Sequence, residues 1–189
     1  MKKIHLIRHG MTYANENKLY CGKTDLPLSE KGVKEIENLK SRGIYPKNLN
    51  LFLSSGLFRT TQTIECIYGS VNYKTIPELE EYNFGQFEMK SYEELKHNSA
   101  YQTWINDEKG TIACPDGESK QQFIKRVLLG YNLLIKKPEP VLLVSHGGVI
   151  ASIMDYLFPN IHHFYEWQPK PGRGYTVVYN QEMKLYEEI

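Results

Sequence analysis

The sequence is short of cysteine, of net charge and of long apolar runs. Its three cysteines, Cys21, Cys66 and Cys114, lie far apart and in no CxxC arrangement. That excludes a disulfide framework and a structural zinc ribbon, and makes a reducing cytoplasm the expected setting. Lys and Arg number 23 against 22 Asp and Glu, a formal net charge of +1. No global field therefore draws the chain to nucleic acid or to an anionic membrane, and any anion site must be built locally. No window approaches a membrane span, and residues 1–7 hold Lys2 and Lys3 with too few apolar neighbours for a signal-peptide core. The six histidines show neither HxH nor HExxH spacing, so no metal and no cofactor is expected. His97 and His162-His163 read as surface residues, and His5 as one face of a strand. Repeats, low-complexity tracts and linkers are also missing, and a single catalytic domain over residues 1–189 is expected.

What is present is an alternation of short apolar runs with longer amphipathic ones. Ile4–Ile7, Leu49–Leu53, Tyr73–Ile76 and Val141–Val144 read as strands, the last as a buried parallel one. Helices are predicted over Ser29–Arg42, Leu57–Tyr68, Tyr92–Ile105, Ser119–Lys137 and Gly148–Phe158, with Ser29 as a cap, Gly43, Gly69 and Pro138 as stops, and an irregular stretch over Asn106–Glu118. Tyr175–Tyr179 and Lys184–Glu187 read as a terminal hairpin around Asn180-Gln181. This is an α/β pattern with a mostly parallel sheet covered on both faces.

In open α/β sheets ligands bind beyond the carboxyl ends of the strands. Arg8 and His9 follow the first strand, Ser54-Ser55-Gly56 and then Arg59 the second, Glu80-Glu81 the third, and Ser145-His146-Gly147-Gly148 the fourth. Two guanidiniums near one point need an anion between them, and phosphate fits the fork bidentately. Gly147 and Gly148 add backbone N–H groups at a helix start. Histidine serves as nucleophile toward phosphorus or as a donor to its oxygens, and a carboxylic acid supplies the proton that arginine cannot. Such a set hydrolyses a small-molecule phosphomonoester without metal.

Arg8-His9-Gly10-x-Thr12 with Asn15, GKTDLPLS from Gly22, Arg59 in SSGLFRTTQT, PELEEYNFGQFE, PDGES and VSHGG occur in that order. The ordered set resembles the histidine phosphatase superfamily, also called phosphoglycerate-mutase-like. The resemblance implies a three-layer α/β/α sandwich, transient phosphorylation of His9, a phosphoryl group held by Arg8, Arg59 and His146 with help from Asn15, and Glu81 as proton donor. Glu80 is the fallback for that last role. LYCGKTDLPLS, PELEEYNFGQFEM and the YxxWxND stretch from Tyr101 to Asp107 are similar to one compact group within it, the α-ribazole-5′-phosphate phosphatases of cobalamin biosynthesis. Met11, where the family commonly has Glu or Gln, and Phe87-Glu88-Met89, where it often has Trp-Glu-Gly, depart from the pattern. Both are expected to leave the core set untouched and to line the substrate pocket.

Each residue also has a plainer role to be weighed. A lone histidine at a strand end is usually structural, Arg59 alone is an ordinary helix residue, and His146 precedes a helix it could cap. Tyr13, Tyr20, Phe84, Phe87, Tyr101 and Trp104 read first as packing, although Tyr13 and the segment from Tyr92 to Pro115 are where a cover over the site would come from. The competing functions are a broad-specificity phosphatase, a phosphoglycerate mutase and a silent phosphoester-binding module. Oligomeric state is not readable from the residues.

Overall fold

A computed structural model describes residues 2–137, 140–180 and 183–189. Strand β1 (Lys2–Arg8) starts before its apolar run, because Lys2 and Lys3 still pair with Tyr179 and Val178. Thr12 opens a short helix, α1 (Tyr13–Glu16), through a reciprocal cap with Asn15 that the apolar periodicity does not reveal. Ser29 caps α2 (Glu30–Ser41) by accepting from Gly32 N–H at 3.1 Å. Strand β2 (Leu51–Ser54) leads through Ser55 and Gly56 into α3 (Phe58–Tyr68), which stops at Gly69, where φ is +76°. Strand β3 (Tyr73–Thr75) is short and exposed, and a 3-10 turn follows at Pro77–Leu79.

The helix expected over Tyr92–Ile105 is two helices, α4 (Tyr92–Leu95) and α5 (Ser99–Ile105). The break has a local cause, since Asn98 accepts from Tyr101 N–H at 3.0 Å and caps a new start. Ser119 and Gln122 cap each other reciprocally at the head of α6 (Lys120–Leu134), which ends at Leu134, with Ile135 as its C-cap, rather than at Lys137. Pro138, its expected stop, lies outside the described residues, as does Gln181 of the expected hairpin turn. Strand β4 (Val141–Ser145) is buried throughout and runs into α7 (Gly147–Leu157). The hairpin strands are β5 (Gly174–Asn180) and β6 (Met183–Glu188), joined in one antiparallel ladder.

The six strands form one sheet in the order β3-β2-β4-β1-β5-β6, parallel from β3 to β1 and antiparallel beyond it. Side chains alternate across it. Leu6, Val141 and Leu143 pack with Phe123 and Val127 of α6 and Ile150 and Ile153 of α7, whereas Ile7, Leu142 and Val144 pack with Ile36 and Leu39 of α2 and Ile64 and Ile67 of α3. These are the three layers, and the period of two in β1 and β4 assigns each residue to its layer. Among the described residues no helix is long and apolar enough to cross a membrane.

Candidate active site

Strands β1 and β4 run in register with Arg8 beside Ser145, so their carboxyl ends stop level. The next residue on each chain is a histidine. His9 N–H still donates to Ser145 O at 2.9 Å, and the rings of His9 and His146 meet edge to face with centroids 5.2 Å apart. Ser54 of β2 lies beside Val144 on the other side of β4, and the following Ser55 places its hydroxyl 2.8 Å from His146 Nε2. Adjacent parallel strands therefore deliver the centre, as the alternating pattern predicts.

His9 is 5 % exposed and His146 0 %. His9 Nδ1 lies 2.7 Å from the carbonyl oxygen of Gly10, which only accepts, so Nδ1 carries the ring proton and Nε2 keeps its lone pair. Burial, then the guanidiniums of Arg59 and Arg8, pushes the His9 pKa well below the usual histidine value. Burial does the same to His146, with Arg59 and His9 adding to it. His146 sits at the N-cap position of α7 yet makes no side-chain cap bond.

Arg8 donates from Nη1 to Pro169 O at 2.9 Å, and burial lowers its pKa while the nearby Glu81 opposes the shift. Arg8 Nε and His146 Nδ1 are buried and make no hydrogen bond among the described residues. Trp167 Nε1, in the core, is the third such atom, and the two in this centre leave hydrogen-bonding capacity open there. Arg59 on α3 is 1 % exposed and donates to Thr24 O at 2.9 Å and Gly22 O at 2.7 Å. Thr63 ties that helix to the turn after β1, donating to Arg59 O and accepting from Gly10 N–H.

Glu88 makes no hydrogen bond to Arg8, His9, Asn15, Arg59, Glu81 or His146, yet it bears on Arg59 through a loop. Its carboxylate accepts from the N–H groups of Gly22, Lys23, Thr24 and Phe84 and from the Thr24 hydroxyl, at 2.7 to 3.2 Å. It fixes the loop whose carbonyls hold Arg59. The signal for this was present in the glutamate of QFEM, but only the fold reveals its partners.

Glu81 Oε2 accepts from Gly148 N–H at 3.1 Å and Oε1 from Tyr82 N–H at 2.9 Å. The Gly148 N–H, expected to face an anion, is thus occupied by the acid. A Cβ on Gly148 would stand 2.6 Å from Glu81 Oε1, so this contact requires glycine. Gly147 lies against Arg8, with its ideal Cβ position 3.1 Å from Cζ. A Cβ on Gly10 would press on Ile36 and Leu28, at 3.0 and 3.2 Å.

A cavity of about 590 Å³ opens beside these groups, within the usual size of small-molecule sites. Arg8, Asn15, Glu81 and Gly148 line it; Glu80 does not, and neither do the buried His9, Arg59 and His146 or Gly147. Asn15 uses Oδ1 to accept from Thr12 N–H and hydroxyl, which leaves its amide nitrogen as donor. The lining is also aromatic and includes Tyr20, Tyr82, Phe84, Trp104 and Phe123. Of the aromatics read first as packing, Phe87 and Tyr101 are core, while Tyr20, Phe84 and Trp104 face the cavity. The segment from Tyr92 to Pro115 contributes Trp104, Ile105, Asp107, Glu108, Gly110 and Ile112 to the wall. Tyr13 is 59 % exposed and lines none of it, nor do Met11 or Phe87-Glu88-Met89.

Residues 4–186 match the model of the histidine phosphatase superfamily (branch 1). The adenosylcobalamin/alpha-ribazole phosphatase of Escherichia coli (strain K12) is 32% identical over 158 residues, 80% of this chain and 77% of that one. A Proteus mirabilis (strain HI4320) protein named "Probable phosphoglycerate mutase GpmB" is 29% identical over 159 residues, 82% of this chain and 74% of that one. Among solved structures, the alpha-ribazole phosphatase from Shigella flexneri superposes with a TM-score of 0.81 at 27% identity, covering 98% of this chain and 94% of that one.

Proposed function

The chain belongs to the histidine phosphatase superfamily, and we propose that its single domain hydrolyses α-ribazole 5′-phosphate through a phosphohistidine on His9, in the cytoplasm and without metal. The observation that carries the catalytic part is the pair of buried, unpartnered atoms, Arg8 Nε and His146 Nδ1, beside the lone pair of His9 Nε2. A phosphoryl group satisfies both.

In the first step His9 Nε2 attacks phosphorus and the ester P–O bond breaks. Glu81 gives its proton to the departing oxygen, which leaves as the alcohol. Arg8, Arg59 and His146 hold the phosphoryl oxygens, with the Asn15 amide and the Gly147 end of α7 adding partial positive charge. In the second step Glu81, now a carboxylate, takes a proton from water as the oxygen bonds to phosphorus. The N–P bond breaks and its electron pair returns to Nε2. His9 stays neutral because its pKa is depressed, so the attacking form needs no prior deprotonation.

The name of the Escherichia coli relative and the aromatic wall support the substrate. A benzimidazole riboside carries a flat apolar base that Tyr82, Phe84 and Trp104 suit. Phosphoglycerate carries a second anion, which Asp107 and Glu108, also in the lining, oppose. The cation there, Lys120, has its ammonium over the Phe164 ring at 4.9 Å. Cys21, Cys66 and Cys114 form no disulfide, which suits a reducing compartment.

The test is a comparison of kcat/KM on α-ribazole 5′-phosphate, 3-phosphoglycerate and p-nitrophenyl phosphate with chelator present. A clear preference for the first, with inorganic phosphate released, is expected. Equal values would leave a broad phosphatase. Phosphate migration that needs a bisphosphate primer would replace hydrolysis by the mutase reading.

A further inference from the structure

Glu81 stands on backbone that neither a helix nor a strand fixes, since residues 80–84 follow the turn at Pro77–Leu79 irregularly. Something else has to set the direction of its carboxyl group. Arg126 of α6 directs all five of its N–H groups at the chain around it. Nη1 donates to Glu78 O and Glu80 O, each at 2.9 Å, and Nη2 to Glu81 O at 3.2 Å and Glu118 Oε1 at 2.6 Å. Nε donates to Glu118 Oε2 at 3.3 Å. Glu118 closes the ring by accepting from Asn83 N–H at 2.8 Å, and its own carbonyl accepts from the Tyr82 hydroxyl at 2.7 Å. Residues 78 to 83 are thus held from one side by a single ion pair.

We propose that Arg126, locked by Glu118, is a positioning residue for proton transfer, aiming the Glu81 carboxyl group at the leaving oxygen through the backbone that carries it. It touches neither substrate nor phosphoryl group. The proposal rests on Glu81 being the proton donor. Three backbone carbonyls turn toward the one guanidinium, and α6 supplies that charge from a helix buried against the sheet. Lysine keeps the charge but cannot reproduce the fork.

The leaving group gives the test. A weakly basic p-nitrophenolate departs with little help, whereas an alkoxide needs its proton, and kcat/KM reports the step up to the phosphoenzyme. Arg126→Lys is expected to lower kcat/KM on an alkyl phosphate by about 10- to 100-fold, a part of the full general-acid effect, while p-nitrophenyl phosphate loses less than about threefold. Glu118→Gln is expected to show the same selectivity more weakly, and it carries the test if Arg126→Lys fails to give a folded protein by circular dichroism. In a Glu81→Gln background, Arg126→Lys is expected to cost the alkyl ester nothing more.

Equal losses on both esters, or no loss, in a folded Arg126 or Glu118 variant would overturn the proposal while leaving Glu81 in its role, provided Glu81→Gln is itself selective. A Glu81→Gln enzyme that loses both esters equally would overturn the proton-donor reading, and this inference with it.

Discussion

His9 Nδ1 donates to the carbonyl oxygen of Gly10 across 2.7 Å, and this bond decides which ring nitrogen faces chemistry. With Nδ1 protonated, phosphorus must bond to Nε2. Brief mixing with substrate followed by denaturation is expected to trap an acid-labile phosphoenzyme in the native protein and none in His9→Ala. The variant should lose on the order of 10⁴-fold or more in kcat, and a phosphoenzyme persisting without His9 would reject the mechanism. Arg8→Ala, Arg59→Ala and His146→Ala, each removing one donor to the phosphoryl group, should cost about 10²–10³-fold.

Glu88 acts at one remove, through the loop that holds Arg59. In Glu88→Gln an amide replaces part of an acceptor surrounded by N–H donors. The expected cost is about 10-fold in kcat/KM, as for a weakened charge-assisted bond, with inorganic phosphate becoming a poorer inhibitor. Combined with Arg59→Ala it should add little. Losses that simply multiply would show that the two residues act separately.

Gly148 separates function from stability. A methyl group there meets Glu81 Oε1 at 2.6 Å and Phe123 Cζ at 3.3 Å. Gly148→Ala is expected to displace the acid and lower kcat/KM on alkyl phosphates by about 10-fold or more. Its thermal transition should hardly move, because alanine favours the helix that glycine disfavours. Full activity in this variant would mean that the Glu81 contact is incidental.

Buried neutral histidines make stability depend on pH. His5, buried beside Thr176, has its pKa pushed down to about 4, by burial first and then by Lys3, and His9 and His146 are also held well below 6.5. The unfolded chain therefore binds more protons than the folded one below pH 6.5. Stability from these groups is complete above that value and falls as pH drops, by about 1.4 kcal/mol per pH unit for each histidine in its window. The contribution of His5 stops changing near pH 4. Melting curves should be flat from pH 7.5 to about 6.5 and then show a fall in Tm down to pH 4.5 that is shallower in His9→Asn. A flat profile would mean that the three are not neutral in the folded state.

Much of this was legible in the residues, and the parts that were not share a cause. Arg8, His9, Arg59 and His146 stand where strands or helices with clear periodicity begin or end, so pattern alone brought them to one edge. Glu81 was ambiguous beside Glu80 because neither lies in a periodic element, and only the Gly148 N–H and the cavity wall separate them. Arg126 and Glu88 escaped because their partners are backbone atoms of distant loops, and no side-chain pattern encodes those. The break between α4 and α5 was missed because apolar spacing runs on through it while Asn98 restarts the capping.

The pairing of Ile4 with Val141 has a consequence for how the protein comes into being. The proposed nucleophile, His9, is made almost at once during synthesis, yet it has no neighbouring His146 until β4 has left the ribosome. β4 must then insert between β1 and β2, two strands already made, a long-range pairing of the kind that sets a folding rate. On the proposed mechanism a nascent chain is expected to be inert toward phosphate esters until late. Recovery of turnover after dilution from denaturant reports the arrival of that one central strand.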